Sequence, residues 1–203
     1  MKPIVKIGAV QNPDELLAYC KGLPMKRVTK SSYAANRQEI WVGLGSNLQS
    51  TKPMSYEGSP TIFVRHKILT PESGLVVPAS PRISQFCQVL MERAGVDSWN
   101  ACLIATNGGI GWHRDHTIFT PTSVIVNLGA IATLEAVVDR NGEPENSRIQ
   151  SVRLGHGYMA KINTKHLHRS IVSEPEKRFM MLISKFKEGW EQYLPEKYKE
   201  EVI

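Results

Sequence analysis

Apolar residues recur along this chain with two different periods, and the period changes near residue 100. Before that point one segment has a clear helical spacing. In "ASPRISQFCQVLMERAG" (79–95), Ile83, Phe86, Cys87, Leu90 and Met91 fall on one face. Ser80 stands at the N-cap position, Pro81 at the first helical position and Gly95 just past the end. "QNPDELLAYCKGLP" (11–24) predicts a shorter helix with Asn12 as N-cap, Pro13 next, Glu15 at capping-box spacing, and Gly22 and Pro24 as the stop. From residue 100 the runs are short and rich in β-branched or apolar residues: "NACLIAT", "SVIVNLG", "TLEAVVD", "RIQSVRL", "YMAKIN" and "RFMMLISKF", most of them separated by Gly, Asn, Pro or Asp. "EIWVGLG" and "TIFVRHKIL" add two strands upstream. No helical pattern interrupts 100–187, which argues against parallel βαβ units and for an antiparallel double sheet or barrel with the helices flanking it. The tail "EGWEQYLPEKYKEEV" has a helical texture with a break at Pro195.

The 203 residues suit one domain with a sizeable core. Its parts are a variable N-terminal extension (1–69) on the substrate side, a core of helix plus strands (70–187) and a helical tail (188–203). The three cysteines, Cys20, Cys87 and Cys102, are odd in number and widely spaced, which argues against a disulfide framework and against a CxxC zinc site. A reducing compartment is expected, cytoplasmic or nuclear and not secreted, since Lys6 interrupts any signal-like apolar run. No run approaches the roughly 18 apolar residues of a membrane helix. The net charge of +6 favours an anionic partner such as nucleic acid, and the cations are spread between an N-terminal group (Lys21, Lys26, Arg27, Lys30, Arg37) and a late one (Lys177, Arg178, Lys185, Lys187).

The chemistry concentrates in "GIGWHRDHTIFTPTSVIVNLG" (109–129). On a strand or its end, residues i and i+2 point to one side, so His113 and Asp115 can reach a common point. One further imidazole would complete a two-histidine, one-carboxylate set with open positions for Fe(II), Mn or Zn. "KHLHRSIV" offers His166 or His168, which share a side, and periodicity does not choose between them. Arg178 follows His168 by ten residues at the start of an apolar strand. A buried arginine there needs an anion to compensate it, and a dicarboxylate that pairs with the guanidinium meets that need.

From about Pro71 to Phe186 the chain resembles the Fe(II)/2-oxoglutarate dioxygenases, and within them the AlkB-like group. "NACLIATNGGIGWHRD" is similar to that group's strand and IGxHxD turn, "SVIVNLGA" to its SLGA-type strand, and "VRLGHGYMAKINTKHLHRSI" to the glycine-rich turn before its distal histidine. The resemblance implies a double-stranded β-helix (jelly roll), mostly β with flanking helices. It implies His113, Asp115 and His168 as iron ligands and Arg178 on the far carboxylate of 2-oxoglutarate, with O2 as co-reactant. His168 is preferred to His166 for its spacing to Arg178.

There are departures. The family's N-x-Y positions on the strand before HxD are Ala105 and Asn107 here, with Asn107 kept as a cosubstrate contact. The second arginine of its last strand is replaced by Ser184. An acidic residue past HxD that touches the base is replaced by His116 and Thr117. His116, Tyr33 and Trp41 are the candidates for substrate contact, the two aromatics because they lie among N-terminal cations and could stack a base. His66, His156, Trp112 and Cys102 are expected to be structural. The leading expectation is oxidative demethylation of N-alkylated bases in single-stranded DNA or RNA. Hydroxylation of a protein side chain or small molecule keeps the chemistry with another substrate, and a non-catalytic β-sandwich binding module is the remaining alternative.

Overall fold

The computed structural model describes residues 2–27, 37–43, 55–56, 59–60, 62–64, 67–69, 76–106, 109–115 and 119–189. In chain order the elements are β1 (Ile4–Ala9), α1 (Pro13–Lys21), β2 (Lys26–Arg27), β3 (Gln38–Gly43), β4 (Ser55–Tyr56), β5 (Ser59–Pro60), β6 (Ile62–Val64), β7 (Lys67–Leu69), β8 (Val76–Pro78), α2 (Pro81–Arg93), β9 (Ala101–Thr106), β10 (Ile110–His113), β11 (Phe119–Gly129), β12 (Ala132–Val137), β13 (Ile149–Leu154), β14 (Tyr158–Asn163), β15 (His168–Val172) and β16 (Arg178–Phe186).

Two sheets face each other. The larger runs β1-β14-β11-β16-β9-β3-β2, with β8 alongside β3, and the smaller runs β10-β15-β12-β13. Pairing is antiparallel except between β3 and β8. The β1 and β3 strands of the N-terminal third are therefore members of the larger sheet.

Alternation along the strands of the larger sheet gives it two buried faces. The outer face of β3, β9, β11 and β16 (Ile40, Val42, Cys102, Ile104, Val124, Val126, Leu128, Met181, Ile183) packs on α1 and α2. The inner face faces the smaller sheet, where Ile125 and Ala160 meet Leu134, Ala136 and Leu154. Gln150 ties the sheets at one edge: its side-chain amide accepts from Ile4 N–H (3.1 Å) and donates to the Ile4 carbonyl (2.7 Å).

The two helices differ in their caps. Ser80 Oγ accepts from the Ile83 N–H, and Gly95 is left-handed at φ 82°, as the pattern predicts. Asn12 makes no side-chain cap, and Gly22 is right-handed at φ −77°. The predicted capping box of α1 is not formed because Glu15 is drawn outward, to Arg82 (2.6 Å). "TIFVRHKIL" is not one strand but an antiparallel pair, β6 with β7; His66 lies outside the described residues. Of the tail, Trp190 onward lies outside the described residues.

Candidate metal centre

β10 and β15 are antiparallel neighbours, and His113 stands directly opposite His168. Cross-strand partners share a face, and the two rings meet with centroids 4.2 Å apart. Asp115 follows just past the strand. Its N–H donates to the Thr164 carbonyl (3.1 Å), which anchors the chain at that point. Asp115 Oδ1 lies 3.5 Å from His113 Nε2 and 3.7 Å from His168 Nε2.

The outer nitrogens fix what the inner ones can do. His113 Nδ1 lies 2.8 Å from the Gly111 carbonyl, and His168 Nδ1 lies 2.9 Å from the His166 carbonyl. A carbonyl only accepts, so each Nδ1 carries a proton and donates it. In the neutral ring Nε2 is then a lone pair. Two such lone pairs and a carboxylate turned on one another require a cation or extra protons between them. Asp115 Oδ2 is also buried and has no hydrogen-bond partner among the described residues. Burial pushes the Asp115 carboxyl up, but His113 and His168 outweigh it and hold it well below the usual range. Burial lowers His168, and its contact with Asp115 reverses this to a net rise. Hard-to-intermediate divalent ions take such N2O sets at roughly 2.0–2.2 Å, and the donor set fits one. Among the described residues this is the only group of three candidate ligands so close together, all within 4.8 Å. His166 is turned away, with Nδ1 on the Val137 carbonyl at 2.9 Å.

Arg178 opens β16 and is fully buried. Its Nε donates to Asn127 Oδ1 (2.8 Å) and its Nη1 to Ser170 Oγ (3.0 Å). Asn127 is itself oriented, because its Nδ2 donates to the carbonyls of Ala130, Leu154 and Gly155. Gly129, at φ 75°, lies against the chain before Arg178: a Cβ there would collide with the Lys177 carbonyl oxygen. His156 supports the same turn, accepting from the Gly129 N–H (2.8 Å) and reaching Asp14 through Nε2 (3.2 Å). Ser170 is two residues beyond His168 on β15. The guanidinium site and the imidazole therefore face the same interior, separated by about 6.6 Å of strand.

The remaining sequence candidates scatter. Trp41 is buried in β3, its ring stacked on Phe119 (centroids 6.2 Å apart, planes 10° apart), so a protein ring occupies the face that a base would need. Phe119 in turn packs on Phe186. Tyr33, Asn107 and His116 lie outside the described residues. Ser184, where the resemblance has an arginine, is buried and bonded to Ser123 Oγ (2.8 Å). Lys185 points to the other face and pairs with Asp97. Cys20, Cys87 and Cys102 are buried and free, and Trp112 lies under the Arg169 guanidinium.

Asn127, Ser170 and the buried pair Arg37–Glu39 were not singled out from the sequence. For Asn127 the signal was present: it is the polar residue inside an otherwise apolar "SVIVNLG" run.

No family model matches the chain, and no curated protein does. Among solved structures, a prolyl-4-hydroxylase of Pseudomonas putida superposes with a TM-score of 0.54 over 92% of this chain and 94% of that one, at 9% identity. The chain is a double-stranded β-helix. A 2OG-Fe(II) oxygenase family oxidoreductase of Burkholderia pseudomallei aligns less well (TM-score 0.47, 12% identity, 84% and 76% of the chains). So does AviO1 of Streptomyces viridochromogenes Tue57 (0.46, 13%, 91% and 90%). At these identities the likeness is one of fold, and the chemistry rests on the side chains.

Proposed function

We propose that this double-stranded β-helix is an Fe(II)/2-oxoglutarate-dependent dioxygenase. The observation that carries the reading is the convergence of His113 Nε2, His168 Nε2 and Asp115 Oδ1, with both Nδ1 atoms committed to carbonyls and Asp115 Oδ2 left without a partner among the described residues. These three would hold the iron. With 2-oxoglutarate and O2 bound, iron supplies oxidation of an unactivated C–H bond. The protein does the rest. Asp115 stays ionised and neutralises charge. The carbonyls of Gly111 and His166 hold the imidazole tautomers. Arg178 binds the far carboxylate of the cosubstrate through a guanidinium that Asn127 and Ser170 keep in place. Leu103 and Met180, buried on the inner face by alternation, put apolar side chains on the side of the sheet that Arg178 shares and limit water there.

For the substrate, we propose N-alkylated bases in single-stranded nucleic acid, where hydroxylation of the methyl carbon releases formaldehyde. The support is the positive charge of the chain and a group of cations around Lys165. Burial lowers Lys165 first, Asp115 opposes it, and Lys187 and Arg140 lower it further. A hydroxylase acting on a protein side chain or small molecule is the second reading, favoured by the fold likeness to a prolyl-4-hydroxylase.

Metal content after loading with Fe(II) or Mn(II) under nitrogen tests the class. One ion per chain is expected, and Asp115→Ala should lose it while keeping the far-UV circular dichroism of the parent. An unaltered chain that binds no metal rejects the dioxygenase. Formaldehyde from oligonucleotides carrying 1-methyladenine or 3-methylcytosine tests the substrate; succinate without formaldehyde transfers the proposal to the second reading.

A further inference from the structure

β3 and β16 flank β9 and are each antiparallel to it, so they run parallel to one another. Glu39, Ala105 and Met180 form one cross-strand row. Two residues back from Glu39 is Arg37, the residue just before β3 (Gln38–Gly43), and two back from Met180 is Arg178, the first of β16. Continued past Glu39, the same alternation puts both arginines on the next row and the inward face. Their backbones are two strand spacings apart, about 9.5 Å, a gap that two extended guanidinium arms can close. Both side chains are buried, Arg37 at 4% exposure and Arg178 at 0%. Their charges feel each other: burial first, and then Arg37, pulls Arg178 down to about 9.

Arg37 Nε lies 3.2 Å from Glu39 Oε2, and Arg178 donates to Asn127 Oδ1 and Ser170 Oγ. Neighbouring guanidiniums repel strongly away from water, and an anion set between them turns that repulsion into attraction on both sides. The position at which the resemblance would place a second arginine holds Ser184, which is bonded to Ser123. A second cation comes instead from Arg37, just before β3.

We infer that Arg37 and Arg178 form a two-guanidinium clamp for the distal carboxylate of a 2-oxo dicarboxylate, with Glu39 the internal anion that holds Arg37 and competes with the ligand for it. Arg37 is thus a cosubstrate-binding residue of this chain, and the inference rests on the dioxygenase reading above.

Calorimetric titration of the full-length, Mn(II)-loaded protein tests it, with 2-oxoglutarate and with 2-oxobutanoate, which keeps the 2-oxo acid and lacks the distal carboxylate. Arg37→Gln should weaken 2-oxoglutarate about 10-fold or more and leave 2-oxobutanoate within about twofold. Glu39→Gln, which keeps the cation and removes its competitor, should tighten 2-oxoglutarate, and this opposite sign decides the matter if Arg37→Gln fails to fold. Unchanged 2-oxoglutarate affinity in Arg37→Gln, equal losses for both ligands, or weaker 2-oxoglutarate binding in Glu39→Gln would each overturn the clamp. Absence of 2-oxoglutarate binding by the unaltered protein is a separate result, seen before any variant is made, and it removes the cosubstrate reading together with the clamp.

Discussion

Against burial, His113 and His168 lower Asp115, and Asp115 raises His168; these shifts fix how the metal-free protein responds to pH. Asp115 is held below its ordinary 3.8, so its contribution to stability is present above that value and is lost as pH falls through the folded one. His168 is raised above 6.5, so its contribution is complete below 6.5 and is lost as pH rises through the raised value. A metal reverses the second dependence, since it needs the unprotonated Nε2 and gains as the proton leaves. The thermal midpoint of the metal-free protein should therefore fall from about pH 6 to about pH 8, while the added stabilisation by saturating Mn(II) grows over the same interval. Scanning calorimetry on both forms measures this, and a Mn(II) effect that shrinks with rising pH would contradict the ligand assignment. Arg178 admits a simpler measurement. Arg178→Ala removes a charge-assisted contact and should raise the 2-oxoglutarate concentration needed for half-saturation by about 10–100-fold.

At the scale of elements, the two helices carry the same start signal and use it differently. The α2 cap is made and the α1 cap is not. Ser80→Ala should lower unfolding stability by about 0.5–2 kcal/mol. Asn12→Ala should stay within about 0.5 kcal/mol, both read from urea midpoints at constant slope. Equal losses would mean that the cap geometry of α1 is formed in solution. The contrast also marks what local pattern carries. The apolar stripe of α2 and the runs of β9, β11, β12, β13, β14 and β16 were legible because each has its own period. β15, "HRSIV", was not, since its alternation is too short and too polar to stand out, and β1 is broken in pattern by Lys6. Within the site, His113 and Asp115 were legible from i, i+2 spacing alone. Choosing His168 over His166 needed either the family resemblance or the β10–β15 register, which is non-local. Arg37 and Glu39 were illegible for a further reason. Polar residues alternating with Ile40 and Val42 read as the solvent side of a strand, and only sheet-on-sheet packing makes that side an interior.

At the scale of the whole molecule, the formal charge of +6 gains meaning from where part of it is gathered. Arg114 donates to the Lys165 carbonyl (3.2 Å) and to the Arg140 carbonyl (3.0 Å), fastening the chain after β14 to the chain after β12. Lys165, half-buried, is pulled down to about 8 by burial and by Lys187 and Arg140, against the opposing pull of Asp115. Four cations thus come from separate parts of the chain to the surroundings of Lys165, which itself senses the Asp115 carboxylate. A single strand laid across them would displace counterions as its phosphates are neutralised, at about 0.7 in log–log salt slope per contact. If all four engage phosphates, the affinity for a single-stranded oligonucleotide should fall with a slope near −3, on the order of the product of 0.7 and four contacts. Replacing Arg140 and Lys165 together with alanine should bring the slope to about −1.4, weakening different sequences alike. Fluorescence anisotropy across a salt series in the metal-loaded protein gives both slopes. The hydroxylase reading for a protein side chain or neutral small molecule requires no such dependence. A flat salt response, or a slope that the double substitution leaves unchanged, would remove phosphate recognition from this surface and leave that second reading in its place.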